Sequence, residues 1–167
     1  VMLNLLAGHA GRNAFLSRTL HALYRKGRTV IFLSHRTAQL RAVRAFLLAS
    51  GVPEEDVGVL EASMKEAVRA VQLQRRLLLC TYNMADEGLD KKELDTCVMG
   101  TPKAKVEQCI GRIQRELEGK RAPIVVDVSD DDSPFYHKLR MARPPFSRRQ
   151  PYTTHVVAAA DFAPDAL

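Results

Sequence analysis

The spacing of apolar residues changes several times along the chain, and each change marks an element. Between Asn13 and Lys26 they fall at Phe15, Leu16, Leu20, Leu23 and Tyr24, which is one face of a helix, and Gly27 stops it. Thr29 to Leu33 is an unbroken apolar run, as a strand covered on both faces requires. A second helix is predicted from Arg36 to Ser50, with Leu40, Val43, Phe46 and Leu47 inward and Gly51 as its cap. Short strands follow at Val57–Leu60 and Leu77–Cys80, with a helical stretch from Met64 to Gln74 between them. A polar turn containing Gly88 leads to a strand at Thr96–Met99. Thr101-Pro102 reads as the start of another helix, because Thr can cap it and Pro fits its first turn. Ile124–Val128 is a further strand, Ser133-Pro134 opens a helix to about Met141, and Tyr152–Val157 could add one more strand.

Strand and helix alternate with short connections. That order predicts an α/β fold, a three-layer parallel sheet with helices on both faces. One domain is expected over residues 1–142. From Arg143 onward Pro and Arg become frequent, so 143–167 reads as an extended tail. Open parallel sheets meet their ligands at the carboxyl ends of their strands. The loops after Leu33, Cys80, Met99 and Val128 are therefore where chemistry is expected. The first residue is Val, and the chain reads as a piece of a longer one.

Composition narrows the partner. The 167 residues are 46% hydrophobic, enough for a sizeable core, but only 6% aromatic with no Trp, which argues against a broad base-stacking platform. The net charge of +6 favours a polyanion such as DNA or RNA. Cys80, Cys97 and Cys109 have no C-x-x-C spacing and read as reduced core thiols, in keeping with an intracellular protein of nucleus or cytoplasm. No apolar run reaches membrane-spanning length and no signal peptide is visible, so no membrane partner is expected. No metal site is expected either. The acidic run Ser129–Ser133 is better placed to cap the next helix, and the five His residues lack ligand spacing.

Two segments carry the chemistry. In Gln108-Cys109-Ile110-Gly111-Arg112-Ile113-Gln114-Arg115, helical spacing puts Gln108, Arg112 and Arg115 on one face, where two guanidinium forks could clasp a phosphate. Gly111 costs the helix about 1 kcal/mol against Ala, which is tolerable where a ligand or backbone must come close. Taken alone, the stretch is also what a solvated basic face looks like. The second segment is Thr81-Tyr82-Asn83-Met84-Ala85-Asp86-Glu87-Gly88-Leu89-Asp90, directly after a buried strand, where small and polar residues let a phosphodiester or ribose approach.

Taken together, T-x-x-x-A-x-E-G-x-D, a strand, and Q-x-x-G-R-x-x-R resemble motifs V and VI of the superfamily two helicases. Gly27 to Arg36, with Leu40 beyond, resembles motif IV. The match is nearest to the helicases of phages and large DNA viruses and their excision-repair relatives, and it covers about residues 12 to 157. The resemblance implies the second RecA-like domain of a two-domain motor with the P-loop NTPase fold. It implies that Arg115 is an arginine finger, that Arg112 also approaches the phosphates, and that Gln108, Gly88 and Asp90 belong to the nucleotide site. Ser34, His35, Arg36, Thr81, Tyr82 and Asn83 fall where the family touches nucleic acid. ATP and Mg²⁺ are implied for the whole protein, and none for this piece alone. No G-x-x-x-x-G-K-[ST] loop and no Asp-Glu box occur, so the N-terminal RecA-like domain of the same protein would supply both. One departure is Glu61-Ala62-Ser63, where the family usually has a Gly. The alternatives are a translocase or remodeller that does not unwind, a binding module without catalysis, and a small-molecule α/β enzyme, for which no nucleophile or cofactor motif is present.

Overall fold

The computed structural model describes residues 2–87, 89–130, 133–141 and 153–167. Five parallel strands form one sheet: β1 (Val30–Ser34), β2 (Val57–Leu60), β3 (Leu77–Thr81), β4 (Thr96–Met99) and β5 (Ile124–Asp127), in the order β2-β3-β1-β4-β5. The helices are α1 (Met2–Gly8), α2 (Ala10–Arg25), α3 (Thr37–Ala49), α4 (Glu66–Leu73), α5 (Tyr82–Asp86), α6 (Glu107–Ile113) and α7 (Pro134–Met141).

The side chains of β1 alternate between two cores, as strand geometry demands. Val30 and Phe32 join Leu16, Leu20 and Leu23 of α2 and Leu40, Val43 and Leu47 of α3 on one face. Ile31 and Leu33 join Met84 and Ala85 of α5 and Cys109, Ile110 and Ile113 of α6 on the other. Both faces of the sheet are thus covered, which explains the unbroken apolar run in β1. Each large side chain withdrawn this far from water contributes about 2 kcal/mol. Cys80, Cys97 and Cys109 are free and buried in the second core. Burial pushes the Cys80 thiol up to about 12 and the Cys109 thiol up to about 11, so both stay protonated and unreactive at neutral pH.

Several expectations from the sequence need correcting. The first long helix starts at Ala10 rather than Asn13, because the His9 imidazole caps it by accepting the Arg12 N–H at 3.1 Å. A short helix, α1, precedes it and buries only Ala7, which leaves little pattern to read. The polar turn after Cys80 is the helical turn α5, capped by Thr81. Residues 153–157 form no strand, and Tyr152 lies outside the described residues. The chain's end packs back on α2 instead: Phe162 lies 5.4 Å from Phe15, and Lys26 donates to the Leu167 carbonyl.

Candidate functional site

The register brings the carboxyl ends of the central strands to one level, with Ser34 beside Thr81 and Leu33 beside both Cys80 and Met99. Immediately beyond β4, Gly100 donates its N–H to the Leu33 carbonyl at 2.7 Å. A Cβ there would sit 2.3 Å from the Phe32 ring, so only glycine lets the turn lie this close to β1.

Beneath this edge lies a connected set of buried polar groups. Ser34 Oγ donates to Gln39 Oε1 at 2.6 Å and accepts the Arg36 N–H at 3.0 Å. Gln39 Nε2 donates to Asn13 Oδ1 at 2.8 Å and to the Gly100 carbonyl at 3.2 Å, and Asn13 donates to the Ala7 carbonyl at 2.7 Å. Arg12, 8% exposed, donates to that same Gly100 carbonyl and forks onto both oxygens of Asp130, at 2.9 and 3.0 Å. Ser34 is fully buried and spends its hydroxyl on this network. Ser34, expected at the nucleic-acid track, is thus placed inside this framework and not at the surface. Asp130, from the acidic run, pairs with Arg12, a role its place in the sequence did not suggest.

The expected helix at Thr101-Pro102 does not form; α6 begins six residues later, at Glu107. Thr101 is buried and its hydroxyl is engaged elsewhere. Its Oγ1 accepts the His35 N–H at 2.9 Å and lies 2.8 Å from His35 Nδ1. The Thr101 carbonyl accepts the Tyr82 hydroxyl at 2.6 Å. Tyr82, also expected at the track, is only 1% exposed. Its ring carries the His35 imidazole at 4.7 Å and the Lys103 ammonium at 4.8 Å. Burial, aided by the nearby Lys103 and Arg36 charges, holds the His35 imidazole below its usual range. His35 is half-buried, whereas Arg36 and Asn83 are exposed and Thr81 is partly so. Arg36 also donates to Asn4 of α1.

The two arginines of the Q-x-x-G-R-x-x-R segment turn to a single loop. Arg112, half-buried on α6, donates to the carbonyls of Leu89 and, at 3.2 Å, Asp86. Its Nε is buried with no partner among the described residues. Arg115 lies beyond the helix, which is capped by Gln114, and pairs with Asp90. The expectation that Arg115 continues the helical face is corrected: it stands on the turn after α6. Both partners of that pair are exposed, as is Gln108. Gly88 lies outside the described residues. A Cβ at Gly111 would meet nothing within 4 Å, so the fold itself gives no reason for glycine there.

Reasoning from sequence missed Arg12, Asn13, Gln39, Gly100, Thr101, Lys103 and Asp86. A weak signal existed for the first: Arg12 continues the Leu16–Leu20 stripe at i−4, an apolar face extended by a charge. Gln39 lies five positions from Ser34 and Asn13 six from Ala7, but the links that join them to each other and to Gly100 are far apart in sequence, and nothing local announces those.

This is a parallel α/β domain of the RecA-like kind, with its conspicuous polar groups along the carboxyl edge and on the loop beside α6. Among proteins of known sequence it is 31% identical over 141 residues to L396 of Acanthamoeba polyphaga mimivirus, named as an ATP-dependent RNA helicase; the match covers 84% of this chain and 27% of that protein. It is 30% identical over 114 residues to helicase D10 of Escherichia phage T5, covering 65% of this chain and 25% of that one. The chain therefore spans about a quarter of the length of the curated relatives it matches. No protein-family profile matches. In fold it resembles T4 UvsW (TM-score 0.64, 16% identity, 85% of this chain and 33% of that one). It also resembles the C-terminal part of the Fun30 ATPase domain (0.59, 13%, 74% and 42%) and domain 2 of the DEAD-box helicase Mss116p, solved bound to an RNA duplex (0.56, 16%, 78% and 56%). In sequence the chain is similar to viral helicases over most of its own length, and its fold is that of helicase C-terminal domains.

Proposed function

We propose that this chain is the second motor domain of an ATP-dependent superfamily two helicase or translocase, and that Arg115 and Arg112 are its contribution to the nucleotide site. The observation that carries this reading is the corner formed by Arg112 and Arg115 with Asp86, Leu89 and Asp90. Two guanidinium groups converge there, and one is held, among the described residues, only by an exposed carboxylate. An exposed pair of this kind is worth at most about 1 kcal/mol, so an incoming triphosphate can take Arg115 from Asp90 at small cost. A guanidinium fork set against the γ-phosphate would offset the charge that develops there during transfer. Asp90 pairs with Arg115 there, Gln108 stands one helical turn before Arg112 on α6, and both would orient the nucleotide.

The phosphate loop and the carboxylates for Mg²⁺ would come from an N-terminal RecA-like domain of the same protein, which closes on this one around ATP. DNA or RNA would cross the carboxyl edge. Arg36, Asn83 and the accessible part of His35 and Thr81 are the groups that reach solvent there. The contacts would be to phosphates, so affinity should fall with salt and vary little with base sequence.

The test is Arg115→Ala in the complete protein. Turnover of ATP should fall by about 10³, with nucleic-acid affinity changed less than about twofold, since a finger acts on the nucleotide and not on the track. Normal turnover would remove the finger assignment. Arg112 is read by the same assay. Its grip on the Asp86 and Leu89 carbonyls means that Arg112→Ala should also destabilise the chain, and a loss of stability without a loss of turnover would make it a framework residue only.

A further inference from the structure

The turn that replaced the expected helix, Thr101-Pro102-Lys103, touches both halves of the proposed machinery. On one side it holds the carboxyl edge, with Thr101 Oγ1 on His35 and the Thr101 carbonyl on Tyr82. On the other side Lys103 Nζ lies 2.6 Å from Asp86 Oδ2. The second Asp86 oxygen accepts the Cys109 thiol at 3.4 Å, and the Asp86 carbonyl accepts Arg112 Nη2 at 3.2 Å. The Lys103 side chain is 19% exposed, so it sits in the body of the domain rather than on a solvated face. One ammonium thus stands over the ring that carries His35 and also grips the residue that anchors Arg112.

Resting on the motor reading above, we propose that Lys103 is a positioning residue, a strut between the nucleic-acid edge and the arginine corner, through which occupancy of the edge sets the placement of Arg112. A lysine that bound nucleic acid directly would need its charge unpaired and open to solvent. Here one donor is spent on Asp86 and the cation lies over an aromatic face, where it is worth more for being partly withdrawn from water. A shift of the His35 edge would move the Thr101–Lys103 turn, and Asp86 with it, because every link is a short hydrogen bond, an ion pair or a ring contact. Coupling of this kind, carried by packed and bonded side chains, usually amounts to a modest factor.

The experiment compares Lys103→Met, Lys103→Arg and Asp86→Asn in the complete protein, measuring ATP turnover without and with a single-stranded oligonucleotide, DNA and RNA in turn. Lys103→Met should lower the stimulation by oligonucleotide about tenfold, with the half-saturating oligonucleotide concentration moved less than about twofold. Lys103→Arg should restore most of the stimulation, and Asp86→Asn should mimic Lys103→Met, with the double variant no worse than either. A raised half-saturating concentration at unchanged maximal turnover would overturn the strut and make Lys103 a direct phosphate contact. Unchanged stimulation would overturn it as well. If the unaltered protein shows no stimulated turnover, the motor reading itself falls. The strut is then judged on this chain by NMR: Lys103→Met should shift both the His35 ring and the Arg112 Nε signals, and failure to move either one sinks it.

Discussion

The carboxyl-edge network and the arginine corner use the same chemical groups in opposite ways. At the edge, Arg12 is 8% exposed, doubly bonded to Asp130, and further tied through Gly100 to Gln39. At the corner, Arg115 and Asp90 form a single exposed pair at the end of a short helix. A buried guanidinium has no water to fall back on, so its partners fix one geometry. An exposed one exchanges partners readily. The first arrangement builds a platform, and the second leaves a group available to a ligand.

This contrast can be broken by mutation, starting where the effect is largest. Arg115→Ala, already described through turnover, should change the stability of this chain by less than about 0.5 kcal/mol, as exposed pairs do. Asp130→Ala should do the reverse. It leaves Arg12 charged and uncompensated, and should cost about 3 kcal/mol in urea unfolding of this chain. If it unfolds no more easily than Arg115→Ala, the platform is not what holds the edge.

Gly111→Ala tests the corner from a different side. With open space around the new methyl, the substitution should stabilise the isolated chain by about 0.5–1 kcal/mol, read from thermal unfolding. If a nucleotide or neighbouring domain must approach there, the same substitution should lower ATP turnover in the complete protein. Stabilisation together with full turnover would show that nothing docks on that glycine.

The smallest effect concerns His35. Its imidazole takes a proton less readily in the folded protein than in the unfolded one, so the unfolded state binds more protons below the ordinary His range. The stability contributed by keeping it neutral is complete above about pH 6.5 and is lost as pH falls below that value toward the lowered folded one. His35→Gln should flatten that part of the stability profile. An unchanged slope would place the titration on other groups.

The two regions also differed in how far the sequence revealed them. Period and composition were enough to read β1 to β5 and most helices, because whether a residue faces a core depends on its neighbours at i+2 or i+4. The arginine corner was legible as a motif for the same reason, since Gln108, Arg112 and Arg115 lie within eight residues of one another. Resemblance to known motifs, rather than spacing alone, gave that segment a role. The platform was not legible. Arg12 finds Asp130 118 positions away and Gly100 88 positions away, and such pairings exist only after the sheet has brought strand ends together.

Local pattern alone therefore determined the strands, the covered faces and the segment that carries two arginines. Tertiary structure decided which polar side chains are spent inside. It buried Ser34 and Tyr82, turned Thr101 from a helix cap into the holder of His35, and ended α6 before Arg115. The physical reason is competition for partners. A hydroxyl or guanidinium takes the best hydrogen bond the folded chain offers it, and that offer is set by residues far away in sequence.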